Sequence, residues 1–316
     1  MIMSKKINKL FRSLIKIISP TLFKILLKLK LNRRVINFLN EKSYNSNNEY
    51  NFISLIEKLL KNEKILALDV GAQGGFNSDL FFPKKYNIFF DEILIEPLEE
   101  EAKKLKDKKY VINKGLWNKR EKKKLYVLGN RLGSSSMYKP DEKKFDLHNI
   151  RNKDFDNYKI TQTIEIECDT ITNQLTELEI ENLDYLKIDT QGAELEILKG
   201  IGNYKPLLIK IEAHFFSIYN EVPSWHKLIN FLYDKNYVLI DWKGIGSHNT
   251  RIPAEADLIF IPNFNNQSGI KHLIENKNKF ISLMLIFGQL KLLQIIMKRL
   301  HWENKDLEKL EDFYFN

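Results

Sequence analysis

The sequence predicts an α/β fold, a mostly parallel sheet with helices on both faces, and three observations predict it. Short apolar runs recur through the middle of the chain, several ending at an acidic residue. Patterns of helical period separate a number of them. Strand then helix, repeated, builds a parallel sheet covered on both sides. The last two runs, 237–242 and 257–262, have no helical pattern between them, which predicts an antiparallel hairpin at one edge. Helical extensions flank this body at both ends.

Taken in order, residues 1–50 form a basic arm and linker. Ile7, Leu10, Phe11, Leu14, Ile15 and Ile18 stand at helical spacing with Lys9, Arg12 and Lys16 between them, an amphipathic helix that Pro20 ends or kinks. A second helical run covers 22–31, and "SYNSNNEYN" at 43–51 is a polar linker. The central domain spans 51–265. "ILALDV" at 65–70 is a buried parallel strand feeding the glycine turn "GAQGGF". "EILIEP" at 92–97 is the next, with Pro97 placed to open a helix over 98–106. "YVINKG" (110–115), "LDYLKID" (183–189) and "LLIKIEAH" (207–214) follow, with helices expected over 193–200 and 224–236. The charged, Ser-rich segment 116–168 is irregular and reads as a lid or substrate loop. Residues 266–316 read as a basic amphipathic helical extension.

Composition narrows the function. The net charge is +9, but the first forty residues carry ten Lys or Arg and no acidic residue, which leaves 40 basic against 41 acidic residues elsewhere. A nearly neutral body argues against a specific nucleic-acid face. The basic arm suits either an anionic membrane surface or docking on the protein's own domain. The single cysteine, Cys168, excludes an internal disulfide and a cysteine-built zinc site, and fits a cytoplasmic setting. No spanning helix is expected. Lys16, Lys24 and Lys28 break up any signal-peptide core. Oligomeric state is left open.

In an open parallel sheet, ligands bind outside the carboxyl ends of the strands. Asp69, Glu96, Asp189 and Glu212 all fall at or near such ends. Gly71, Gly74 and Gly75 let the backbone turn and approach a ligand. A dinucleotide fingerprint fails because Gln73 stands where a glycine is needed, which weighs against a nucleotide-dependent oxidoreductase. Glu96 is placed to accept hydrogen bonds from a ribose. Asp69 suits a ligand amino group and would repel a pyrophosphate. S-adenosylmethionine has a ribose, an ammonium and no phosphate.

"LDVGAQGG" (68–75), "IEP" (95–97) and above all "LKIDTQGAELEILKG" (186–200) resemble the FkbM-type methyltransferases. The resemblance covers about residues 65–242, and "GSSSM" (133–137) and "ECDTI" (167–171) are similar to the family's middle region. Gln191 departs from it, standing where an acidic residue is frequent. The resemblance implies a class I methyltransferase, Rossmann-like fold, S-adenosylmethionine as donor and a hydroxyl acceptor, here of a carbohydrate, glycan or similar polar metabolite.

On this reading Asp69, Gly71, Gln73, Gly74, Glu96, Pro97, Gly115, Leu116 and Asp189 line the donor site. His214 is the general base and Asp189 orients donor or acceptor. Glu194 caps its own helix or reaches the ligand, and Trp117 stacks on adenine or fills core. A divalent metal held by Asp189, Glu212 and His214 is the alternative, and a catalytically inactive module of the same fold is the non-enzyme rival. His226 and His248 read as surface residues.

Overall fold

Burial on both faces explains the apolar runs. Strands β1 (Ile65–Val70), β2 (Phe90–Ile95), β3 (Tyr110–Ile112), β7 (Tyr185–Ile188) and β8 (Leu208–His214) are parallel, and most of their residues are buried. The computed structural model describes residues 52–243 and 253–302, apart from positions 146, 149 and 151. The arm expected over 1–50, His248 and the end of the chain lie outside the described residues.

The main sheet runs β3-β2-β1-β7-β8-β10-β9. Strands β9 (Tyr237–Lys243) and β10 (Glu255–Pro262) form the expected edge hairpin, and β10 lies antiparallel to both β8 and β9. The chain leaves β1 toward β2 and β3, then returns to lay β7 on the other side of β1. That reversal opens a crevice at the carboxyl ends of β1 and β7, where ligands bind in open sheets of this kind.

Helices α1 (Ile53–Leu60), α2 (Glu99–Lys103), α3 (Ile171–Glu177), α4 (Glu194–Lys199) and α5 (Trp225–Asp234) precede or connect the strands. The helix expected over 98–106 is shorter: Pro97 lies outside it and Leu98 is its cap. Segment 116–168, expected to be irregular, holds strands β5 (Glu121–Leu128) and β6 (Ile160–Asp169). With β4 (Gly115–Leu116) they form a second sheet, β4-β6-β5. The lysine run "EKKKLYVL" is therefore a strand. Lys122 and Lys124 point to solvent while Leu125, Val127 and Leu128 are buried, an alternation that the density of charge concealed.

After β10 come α6 (Gln267–Glu275), α7 (Lys277–Ile286) and α8 (Leu290–Arg299). They fall in the same compact unit as the sheet. Every residue of α7 from Phe280 to Ile286 is buried. A helix apolar all round is a core helix, not an amphipathic one. Phe287 packs its ring 5.2 Å from both Phe82 and Tyr185. No helix among the described residues is long and apolar enough to cross a membrane.

Because side chains alternate along a strand, the sheet has two unlike faces. One carries Leu68, Val70, Ile93, Ile95, Leu186, Ile188, Ile209 and Ile211 in a continuous apolar core. The other places Asp69, Lys187 and Lys210 opposite one another across β1, β7 and β8. The carboxyl ends of β1 and β7 meet tightly at Gly71. Its φ is +82°, and a Cβ there would lie 2.0 Å from the carbonyl oxygen of Asp189. Gly71→Ala is therefore expected to destabilise the fold by about 2 kcal/mol or more, from the left-handed backbone and the clash together. Urea unfolding reads this as a lower midpoint, and an unchanged midpoint would contradict the contact.

Candidate active site

Two cavities open at the carboxyl edge of the main sheet. The first is a largely apolar cleft bounded by Val70, Gly71 and Gln73 after β1, Ile95, Glu96, Pro97 and Leu98 after β2, and Asp189, Thr190 and Gln191 after β7. Gly115, Leu116, Leu125, Leu132 and Met137 close its far side. Of the residues expected to line a donor site, Gly71, Gln73, Glu96, Pro97, Gly115, Leu116 and Asp189 meet here. Asp69 and Gly74 do not line the cleft. Gly74 serves the turn itself, at φ +80° with Ser78 against it.

Glu96 is only 4% exposed. Its Oε1 accepts a hydrogen bond from the Leu98 backbone N–H at 2.9 Å, so one oxygen is committed to the loop. Burial pushes its carboxyl up to about 7, with the Leu98 hydrogen bond pulling the other way. Asp69 departs from its expected role. It is 3% exposed, and its Oδ1 lies 2.9 Å from the Lys187 ammonium, which also donates to the Gly71 carbonyl at 3.0 Å. Asp69 thus anchors a lysine that holds the glycine turn. Trp117 is buried in the core beneath the Lys123 ammonium, 4.1 Å from its ring centre, and does not line the cleft.

The loop after β7 is held from within. Glu194, first residue of α4, accepts three hydrogen bonds on Oε1: from the Thr190 N–H, the Thr190 hydroxyl and the Gly192 N–H, at 3.0, 3.1 and 3.0 Å. Gln191 sits at φ +59°. Its amide donates to Glu212 at 2.6 Å and to Asp189 at 3.3 Å, while Tyr219 donates to its carbonyl oxygen at 3.1 Å. The amide therefore stands between two carboxylates that would otherwise face each other. From the middle segment, Ser136 donates to the Gln191 carbonyl at 2.7 Å, so 132–137 folds over this loop. Burial pushes the Asp189 carboxyl up, but the Lys187 and Lys210 ammonium groups outweigh it and hold it below its ordinary value.

The second cavity is polar, with a volume of about 300 Å³. Asp189, Gln191 and Gly133 border it as they do the cleft. Glu212, His214, Glu255, His148, Arg131 and Tyr158 complete most of its wall. His214 Nε2 is 3.4 Å from Glu212 Oε2, and Nδ1 is 3.8 Å from Glu255 Oε2. Nε2 itself is buried and makes no hydrogen bond among the described residues. Glu212, His214 and Glu255 lie on one face of the sheet, since Glu255 pairs across from His214 and Asp257 from Glu212. Among the described residues, the side chains that could hold a metal ion include Glu212 and His214 of the expected set. Glu194, Glu212 and His214 present ligand atoms within 4.8 Å of one another, with Glu194 in place of Asp189.

Leu132, Gly133, Ser135 and Met137, from the segment read as a lid or substrate loop, wall the cleft, although the strand that delivers them was hidden in a lysine run. The buried lysines went unread in the sequence. Lys187 and Lys210 break the apolar strands "LKI" and "IKI", and that interruption was the available signal. "ECDTI" proves structural. Asp169 binds Arg120 at 2.7 Å and accepts from Thr170, Asn173 and Gln174, while the Thr170 hydroxyl caps α3. His226 lies exposed on α5.

Residues 69–239, more than half of the chain, match the model of the methyltransferase FkbM domain. No curated protein matches the chain.

The state of Glu96 makes folding sensitive to pH. Its carboxyl moves from an ordinary 4.5 to about 7 on folding, so the unfolded chain gives up the proton first. Stability from this group is fully present below 4.5 and is lost as pH rises toward about 7. Glu96→Gln removes the ionisation, so the variant should gain on the parent by about 1–3 kcal/mol across that interval. Denaturant unfolding at both ends tests it, and a difference independent of pH would refute the burial argument.

Proposed function

The chain belongs to the methyltransferase FkbM family, and on that premise we propose that it is an S-adenosylmethionine-dependent O-methyltransferase acting on a hydroxyl of a carbohydrate, glycan or related polar metabolite. One observation carries the reading: an apolar cleft with a buried acid and a polar cavity with a histidine share the wall formed by Asp189, Gln191 and Gly133. Donor and acceptor sites of a group transfer must meet in this way, because alignment supplies much of the rate.

The residues fit the donor. Gly71 lets the backbone close on Asp189 with no Cβ between them. Glu96 retains one oxygen for a ribose hydroxyl, and Leu116, Leu125 and Ile197 offer an apolar bed for a base. When bound, S-adenosylmethionine supplies a methyl group on a sulfonium, an electrophile that needs no further activation. The chain's own work is on the acceptor. His214 Nε2, which has no hydrogen-bond partner among the described residues, would take the proton of the acceptor hydroxyl. Asp189, on the shared wall, orients the two partners. Gln191 stands between Asp189 and Glu212 and donates to both.

Calorimetric titration with S-adenosylhomocysteine and, separately, with NAD tests the donor assignment: the first should bind and the second should not. Glu96→Ala should weaken S-adenosylhomocysteine binding by about tenfold or more. Unchanged affinity would sink the ribose role. His214→Ala should retain that binding and lose about a hundredfold or more in turnover on an acceptor found by screening. Binding of neither nucleotide would favour an inactive module of the same fold.

The basic arm at 1–50 supports peripheral association with an anionic membrane as a second property. Liposome flotation at low salt should carry the full chain upward and lose it as salt rises. Absence of flotation at low salt would reject the association.

A further inference from the structure

We infer that the polar cavity takes an acceptor bearing a protonated amino group on the carbon next to the hydroxyl that is methylated, an amino sugar or comparable amino alcohol. The inference rests on reading that cavity as the acceptor site.

Its charge is lopsided. Asp189, Glu212 and Glu255 border it, and among the described lining residues the only lysine or arginine is Arg131. Arg131 is exposed at the rim, where it donates to the Tyr158 hydroxyl and stacks over that ring at 5.0 Å. The buried lysines behind the cavity answer other acids: Lys187 pairs with Asp69, and Lys210 with Asp79 and Asp257 at 2.5 and 3.0 Å. They also hold Asp189 charged. Among the described residues Glu212 has no lysine or arginine partner. Its one strong donor is the neutral Gln191 amide. A ligand cation is what this wall lacks.

His214 adds the second, independent observation. Its side chain is 3% exposed, its Nε2 makes no hydrogen bond, and it faces the cluster. The imidazole lies between Glu212 at 3.4 Å and Glu255 at 3.8 Å. A hydroxyl donated to Nε2 therefore sits beside the Glu212 carboxylate, and an ammonium on the neighbouring carbon reaches the acidic wall that Glu212 and Glu255 share. Held there, the amine stays protonated and has no lone pair to compete for the methyl group, so transfer goes to oxygen. A bare metal ion suits the site less well. The space is about 300 Å³, and Glu194, the third member of the ligand group, already accepts three hydrogen bonds on one oxygen.

Glucosamine and glucose offer the same ring with and without the ammonium. The full chain, loaded with S-adenosylhomocysteine, should bind glucosamine about tenfold more tightly than glucose near neutral pH. Glu212→Gln and Glu255→Gln should each narrow that gap while leaving S-adenosylhomocysteine affinity as it was. Should Glu212→Gln fail to fold, the rim residue Glu255 carries the comparison. Equal affinities, a preference for glucose, or no binding of glucosamine would overturn the inference. Stoichiometric binding of Mn²⁺ alone, abolished by Glu212→Gln, would overturn it too and give the cluster to a metal. Loss of S-adenosylhomocysteine binding would instead strike the donor assignment, and the sugar comparison on the unloaded chain would still read the cavity.

Discussion

Two lysines set side by side in the middle of the sheet impose the condition that the rest of the site obeys. Lys187 on β7 and Lys210 on β8 are register partners, 7% and 1% exposed. An ammonium removed from water costs several kcal/mol unless acids and carbonyls surround it. Lys187 is answered by Asp69 and by the Gly71 carbonyl, Lys210 by Asp79, Asp257 and the face of Phe81. These partners come from β1, from the loop after it and from β10. Satisfying two charges therefore pins the glycine turn, the 76–83 loop and the hairpin to the same two strands. It also leaves Asp189 charged at the place where both cavities begin.

Above that base the topology decides where the chemistry goes. The reversal of chain direction between β1 and β7 opens a crevice, and no side chain is needed to create it. What divides the crevice is the loop 189–192. Glu194 spends one oxygen on three loop donors, which keeps Gln191 in a left-handed conformation, and the Gln191 amide then spans Asp189 and Glu212. The amide is neutral and carries two N–H donors. A carboxylate in that place would add a third negative charge and no donor, so an acid there would require a cation from elsewhere.

The middle segment completes the enclosure. Its sheet, β4-β6-β5, brings 132–137 over the cleft, and Ser134 and Ser136 tie that stretch to Tyr219 and Gln191. The walls of the cleft and of the polar cavity are thus joined through the same few residues.

Much of this was legible in the residues. The short apolar runs and the helical patterns between them determined a parallel sheet with an edge hairpin, because burial on both faces demands continuous apolar strands. Acids at strand ends placed Glu96, Asp189, Glu212 and His214 at one edge, since strand period and strand direction suffice for that. Which of those acids faces a ligand was a matter for tertiary structure alone. Asp69 and Glu96 read alike in sequence, yet one is spent on Lys187 while the other faces the cleft, and only the lysine from a strand over a hundred residues away decides between them. The strand inside the lysine run, the apolar helix α7 and the exchange of Glu194 for Asp189 beside His214 were hidden for the same reason. A side chain's neighbours across the sheet are set by register and packing, and neither is written in the spacing of residues along the chain.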